Sequence, residues 1–361
     1  MVILHIASIQ DYPYSGVCVV VPQHVREQQR LQEVGFVNIQ NLKIDGVQHQ
    51  FEYGDKFSVA SLPAPFCRPD IVIFHEAYRP EYLKIYKELV KKGIPYVILP
   101  HGELSDEAQK KKWLKKKVAN ILLFNPFIRR AAAIQCLSER ECEATRFGKK
   151  KIIATNGIYI PEQKKTSFRR EGIRLLFIGR LDVYHKGIDL MMDGVLLAAD
   201  TMRKTGAKLY VYGPDLHGRY AEVEALIADR GLGDIVIQNH EISGADKEKA
   251  LLDADVFVQT SRFEGMPMGI LEAMSYGLPC LVTAGTTLGG FVREQGAGWG
   301  CSTDADSIAE AIAAAIAAAA DGEAPLAQMS QRAIEAASRH FAWSHIAEQT
   351  IQAYAELAQG T

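Results

Sequence analysis

"DVFVQTSRFEGMPMGILEAMSYGLPCLVT" spans residues 255–283. It opens on an apolar run with the length and β-branched character of a strand buried on both faces. A glycine-bearing loop follows, then a helical stretch from about 267 to 276 that stops at Gly277-Leu278-Pro279, and a second apolar run, "CLVT". Strand, loop, helix and strand in this order form a parallel crossover unit. Two glutamates, Glu264 and Glu272, flank the start of that helix.

The same unit recurs along most of the chain. In the first half, strand-like runs stand at 2–8, 37–42, 71–76, 96–102, 133–138 and 151–157, with helical patterns between several of them. "PEYLKIYKELVKKG", with proline at its start and glycine at its end, is one such helix. The polar stretch "PEQKKTSFRREG" (161–172) then breaks the rhythm. Beyond it strands are expected at 173–179, 208–213, 235–240, 256–261 and 280–283, with helices near 187–205 and 219–231. The Ala-rich "DSIAEAIAAAIAAAA" carries Ile308, Ile312 and Ile316 at helical spacing, and "AWSHIAEQTIQAYAELA" closes the chain as a helix. The pattern predicts an α/β protein of two doubly wound, Rossmann-like parallel-sheet domains facing each other across a cleft. The expected division is residues 1–165, 166–341, and a terminal helix at 342–361 packing back on the first domain.

At 361 residues the chain exceeds what one core usually supports. It has no apolar run of about 18 residues, so no membrane-spanning helix is expected, and its first strand lacks the features of a secretory signal. Six scattered cysteines, without metal-ligand spacing, point to reduced thiols and a cytoplasmic protein. Residues 1–165 carry 25 Lys+Arg against 17 Asp+Glu, a net +8, while the remainder nets −10. The segment 110–130, "KKKWLKKKVANILLFNPFIRR", mixes lysines with aromatic and aliphatic residues. It is either a solvated helix face or a peripheral contact with an anionic membrane at the inner face of the cell. No recognition motif accompanies it, so nucleic acid is not an expected partner.

In doubly wound sheets, ligands bind beyond the carboxyl ends of the strands. The loops there hold Arg180, Lys186 before Gly187, Gly213, Arg262, and then Glu264, Gly265, Met266, Pro267, Met268 and Gly269. Fixed cations beside a helix start suit a diphosphate, and acceptor-only carboxylates suit vicinal hydroxyls. A ligand with a diphosphate between two hydroxyl-rich ends is a nucleotide-sugar.

With these residues in view, "FIGRLDVYHKGID", "LYVYGPD", the E-x7-E pair Glu264/Glu272 and "AGWG" resemble the retaining GT-B glycosyltransferases of family GT4. "PHGELS" (100–105), "TNGIYIP" (155–161) and the closing helix extend the likeness to nearly the whole chain. The resemblance implies that Arg180 and Lys186 bind the donor diphosphate, that Glu264 and the Gly265–Gly269 backbone hold the sugar, and that Glu272 holds the ribose. It also places His101 near the donor sugar and Gly16 in a loop on the donor; relatives usually carry a Gly-Gly pair there, and Ser15 replaces the first glycine. His75 and Glu76 are candidate acceptor contacts. No metal is expected; the donor is a nucleotide-sugar, and the acceptor a saccharide or a lipid-linked molecule of polysaccharide or glycolipid synthesis. A sugar-nucleotide epimerase on the same fold is the alternative. "DAD" at Asp253–Asp255 resembles a metal-binding D-x-D motif, but it lies where a helix runs into a strand and reads as structural. "GAGWG" (296–300) neither follows a strand nor opens a helix, so it is not a dinucleotide fingerprint.

Overall fold

The computed structural model describes residues 1–11, 16–104, 123–145, 147–148, 150–216 and 218–360. It divides into two units, Met1–Gly157 with Trp343–Thr361, and Ile158–Ala342.

The first unit is built on seven parallel strands: β1 (Val2–Ala7), β2 (Glu33–Asn38), β3 (Gln50–Glu52), β4 (Ile71–His75), β5 (Tyr96–Leu99), β6 (Ala133–Cys136) and β7 (Lys151–Ile153). They lie in the order β3-β2-β1-β4-β5-β6-β7, so the winding reverses between β1 and β4. The expected strand at 37–42 forms four residues earlier. Asn38 ends it: its side chain accepts from Ile9 N–H and donates to the Ile9 and Leu42 carbonyls, turning the chain out of the ladder. Both faces of the sheet are buried, by Leu4, Val37, Phe74 and Phe127 on one side and Ile3, Val21, Phe36 and Ile73 on the other. The last helix, Trp343–Gln359, adds Tyr354 and Leu357 to the second of these faces. Its entry is fixed by Trp343, whose ring lies so close to Gly157 that a Cβ there would fall 2.4 Å from it.

The second unit carries six parallel strands: β8 (Arg174–Ile178), β9 (Lys208–Tyr212), β10 (Val236–Asn239), β11 (Val256–Gln259), β12 (Cys280–Thr283) and β13 (Gly298–Cys301). Their order is β10-β9-β8-β11-β12-β13, which reverses between β8 and β11. "GAGWG" therefore supplies an edge strand, β13, paired with β12. One face is covered by Ile188–Thr205 and the Ala-rich Ala305–Ala320; Gly194 lets them approach, since a Cβ there would meet Ile308 at 2.5 Å. The other face is covered by Met268–Tyr276, Gly289–Glu294 and Glu323–Phe341.

Asp255 shows what the D-x-D stretch does. Fully buried, it accepts from the N–H groups of Arg169 and Arg174 at 3.2 and 2.9 Å, and pairs with Arg169 at 3.1 Å and Lys165 at 3.4 Å. The polar stretch 161–172 is thereby fastened to this unit, with Lys165 and Phe168 buried. All six cysteines are free thiols. Among the described residues no helix is long and apolar enough to cross a membrane.

Candidate active site

In each sheet the reversal of strand order opens a crevice between the loops that leave the two central strands. In the second unit these loops follow β8 and β11 and carry most of the candidate residues. After β8 the chain turns through Asp182, whose carboxylate accepts from His185 N–H at 3.0 Å. Burial pushes that carboxyl up, but the His185 hydrogen bond and the nearby His185, Arg219 and Arg180 charges outweigh it and hold it below the usual range. Gly187 follows in the left-handed conformation, φ +64°, where a Cβ would stand 2.1 Å from the Thr260 carbonyl oxygen. Only glycine lets the two loops meet there. Gly213 after β9 is needed for a similar reason, since its Cβ would reach the Gly179 oxygen at 2.2 Å.

The approach at Gly187 brings Lys186 to Glu264. The ammonium donates to Glu264 Oε1 at 2.5 Å, with the two side chains 14% and 12% exposed. Ser261 Oγ and Gln259 Nε2 donate to the same oxygen at 3.1 and 3.4 Å. His185 lies alongside, its ring 4.4 Å from that of Phe263. Burial outweighs the neighbouring Glu264 carboxylate and keeps the imidazole below its ordinary value. Arg180 is exposed and makes no hydrogen bond or ion pair with a described residue, which leaves its guanidinium open to a ligand. Arg262 is occupied: Asp189 takes it at 2.7 and 2.8 Å, and it lies 4.5 Å over the Tyr184 ring.

The helix Met268–Tyr276 begins at Pro267 without a side-chain cap. Ile270 and Leu271 donate back to the Pro267 carbonyl, while the N–H groups of Met268 and Gly269 have no acceptor among the described residues. The start of this helix therefore leaves amide donors of the kind that suit an anion. Gly265 stands clear, with nothing within 4 Å of where a Cβ would be, and Met266 and Met268 pack partly against the core. Glu272, one turn further, is bound to Lys247 at 2.5 Å. The two glutamates thus have different cations. Lys247 belongs to "GADKEKALLD", a helix whose charge pattern gives no hint of a partner 25 residues ahead. Sequence reading also missed His185, Ser261 and Gln259, although the first two adjoin residues already singled out.

In the first unit, His75 is fully buried at the end of β4, with both ring nitrogens engaged by His5 and His101, so neither is left for a ligand. Glu76 has φ +71° and binds Arg79 through two hydrogen bonds of 2.8 Å. His101 follows β5 with φ +49°. The next residue anchors it: Gly102 N–H donates at 2.8 Å to Glu141, a buried carboxylate pushed up by desolvation. Gly16 opens the helix Gly16–Gln29, and a Cβ there would meet nothing within 4 Å. Tyr12–Ser15, the rest of that loop, and residues 110–122 of the basic segment lie outside the described residues. In the remainder of that segment, Phe127 and Ile128 are buried and Arg129 and Arg130 exposed.

Each unit is a doubly wound parallel sheet, and the reversal of one of them gathers cations and an open helix start, an arrangement suited to an anionic ligand. Residues 172–318 match the family model of the group 1 glycosyl transferases. The fold of the chain is GT-B. It is 32% identical over 120 residues to mannosylfructose-phosphate synthase of Agrobacterium fabrum, covering 32% of this chain and 26% of that one. It is 27% identical over 207 residues to the GDP-mannose:cellobiosyl-diphosphopolyprenol alpha-mannosyltransferase of Xanthomonas campestris, covering 55% and 51%. The chain thus spans about half or less of the length of these curated relatives. Anabaena Alr3699/HepE, solved in complex with UDP and glucose, superposes with a TM-score of 0.71 at 16% identity, over 98% of this chain and 99% of that one.

Proposed function

We propose that this chain is a retaining glycosyltransferase of the GT4 type, moving a hexose from a nucleoside-diphosphate sugar to a saccharide or lipid-linked acceptor. One observation carries the reading: Lys186 and Glu264 are clasped at the strand-order reversal, beside an uncapped helix start and an Arg180 without a partner among the described residues. A cation held by a carboxylate, next to open amides, is a place where a diphosphate can enter and release the carboxylate for a sugar hydroxyl. Lys186, Arg180 and the amides of Met268 and Gly269 then stabilise the departing diphosphate, work that a divalent ion performs in other transferases. Glu264 takes the sugar hydroxyls, Glu272 with Lys247 the ribose, and His101 a donor-sugar hydroxyl. Among the described residues no group of three or more His, Cys, Asp or Glu could hold a metal, and this scheme requires none. No side chain is assigned as a nucleophile. Retention follows from same-face attack on an oxocarbenium-like state.

The relatives support a mannosyl donor as the first to test, and the diphosphopolyprenol named for one of them supports a lipid-linked acceptor. The deciding experiment incubates the protein with GDP-mannose, UDP-glucose or ADP-glucose and acceptor extracts. Nucleotide release is followed, and the product anomer is read by NMR. An α-linked product from an α-donor is expected. An inverted linkage, an isomerised donor without transfer, or sugar release from a simple glycoside would each overturn the proposal.

A further inference from the structure

Glu264 is held by more than Lys186. Its Oε1 also accepts from Ser261 Oγ at 3.1 Å and from Gln259 Nε2 at 3.4 Å, and Gln259 Nε2 donates to Ser261 Oγ at 3.3 Å. The amide, the hydroxyl and this one carboxylate oxygen therefore close a triangle of hydrogen bonds. Gln259 ends β11 and Ser261 opens the loop after it; they are 2% and 0% exposed. The main chain around them is fixed from the loop that follows β12. Thr283 Oγ1 donates to the Ser261 carbonyl at 2.8 Å, and Glu264 N–H donates to the Gly285 carbonyl at 3.0 Å. The transfer scheme gives Gln259 and Ser261 no role.

The protons of the triangle can be counted. An ionised carboxylate only accepts, so Gln259 must turn its nitrogen, and not its oxygen, to Glu264. That nitrogen has two protons, one for Glu264 Oε1 and one for Ser261 Oγ. The Ser261 hydroxyl accepts the second and keeps its own proton for Glu264. The Gln259 oxygen is turned the other way, 3.4 Å from where a Cβ on Gly269 would stand. With Lys186 included, Oε1 has three donors, whereas Oε2 has no hydrogen-bond partner among the described residues and is not sealed from solvent. The two oxygens of this carboxylate are thus unequal before any ligand arrives.

We propose that Ser261 and Gln259 are positioning residues that keep Glu264 Oε1 in place when Lys186 turns to a diphosphate, so that Oε2 is the oxygen that meets the sugar hydroxyls. This rests on the reading of Glu264 as a donor-sugar contact and deepens it. Glu264 is only 12% exposed, and a carboxylate in such a place that lost its cation with no other donor would follow the ammonium or rotate toward water. Ser261 and Gln259 are neutral, so a diphosphate does not draw them away as it draws Lys186. Oε2 has lone pairs in two directions, which suffices for hydroxyls on adjacent carbons.

The test is a cycle of calorimetric titrations on the full-length protein. GDP-mannose, UDP-glucose and ADP-glucose are the probes, each beside its free nucleoside diphosphate, and thermal unfolding verifies that every variant is folded. Ser261→Ala removes one hydrogen bond to a charged group and should weaken the accepted donor about tenfold or more, while the free diphosphate changes less than about threefold. Gln259→Met, which keeps the length of the side chain, should act likewise, and Ser261→Thr, which keeps the hydroxyl, should bind as the wild type does. In a Glu264→Ala background, Ser261→Ala should change donor binding less than about twofold, because the carboxylate it acts through is gone. Equal weakening in both backgrounds would mark a merely structural role and overturn the proposal, as would undiminished donor binding in both Ser261→Ala and Gln259→Met. Donor binding that Glu264→Ala leaves unchanged would overturn the assignment of Glu264 to the sugar, and a wild type that binds none of the three donors would overturn the transferase reading; the proposal falls with either.

Discussion

Lys186 and Glu264 hold each other before any ligand arrives, and that mutual hold sets what each substitution should do. Removing the carboxylate releases the ammonium. Glu264→Gln should therefore bind free UDP, GDP or ADP at least as tightly as the wild type while losing about 100-fold or more in transfer, checked by titration calorimetry beside a turnover assay. Weaker free-nucleotide binding in this variant would contradict the division of roles. Asp255 offers a contrast, because it is a buried carboxylate with only structural partners. Asp255→Ala strands Lys165 in the interior and should cost about 3–5 kcal/mol in urea unfolding. Both residues were legible in the sequence, Glu264 from its place in a strand-to-helix loop and Asp255 from its place just before a strand. The Lys247 partner of Glu272 was not, because a contact between two helices leaves no periodic mark on either.

At the scale of the elements, the loop after β8 meets the loop after β11 through Gly187. Gly187→Ala would force an L-residue into a left-handed turn and drive its Cβ against the Thr260 carbonyl. A stability loss above about 2 kcal/mol is expected in thermal or urea unfolding. Gly265→Ala has open space around it and should change stability by less than about 0.5 kcal/mol, so any loss of donor binding in it reports a ligand contact. Strands buried on both faces were readable wherever the run was aliphatic, as in "IVIFH" and "YVIL". β3 and β13 escaped because "QFE" and "GWGC" are short and pair on one side only. β2 was displaced because "EVGFVNIQNL" is apolar throughout much of its length, and its end is set by an Asn38 side chain whose partners lie in another segment.

At the scale of the whole molecule, two crossover series predicted two parallel sheets, and both are present with the same reversed strand order. The contacts that join His5 to His75 and His75 to His101 were invisible at this scale and at every other, since the three residues meet only once the first sheet is wound. The burial of histidines in this unit has a global consequence. His5 and His24 have folded pKa values of about 4 and about 3 against 6.5 in the unfolded chain, because burial disfavours the charged ring. The unfolded state therefore takes up protons first as the pH drops. Stability should be full above about pH 6.5 and fall toward pH 4, each such histidine contributing a slope of about 1.4 kcal/mol per pH unit. Urea unfolding at pH 7.5 and pH 5 measures this, and equal midpoints would contradict it.

In the proposed function Lys186, with the open helix start at Met268, grips the diphosphate of a nucleotide. Thermal unfolding of the wild type and of Lys186→Ala, with and without UDP, GDP and ADP, tests it most directly. At 100 times its dissociation constant one of these nucleotides should stabilise the wild type by about 2.7 kcal/mol and the variant far less. A wild type that none of the three stabilises, or a variant stabilised as much as the wild type, would contradict the account.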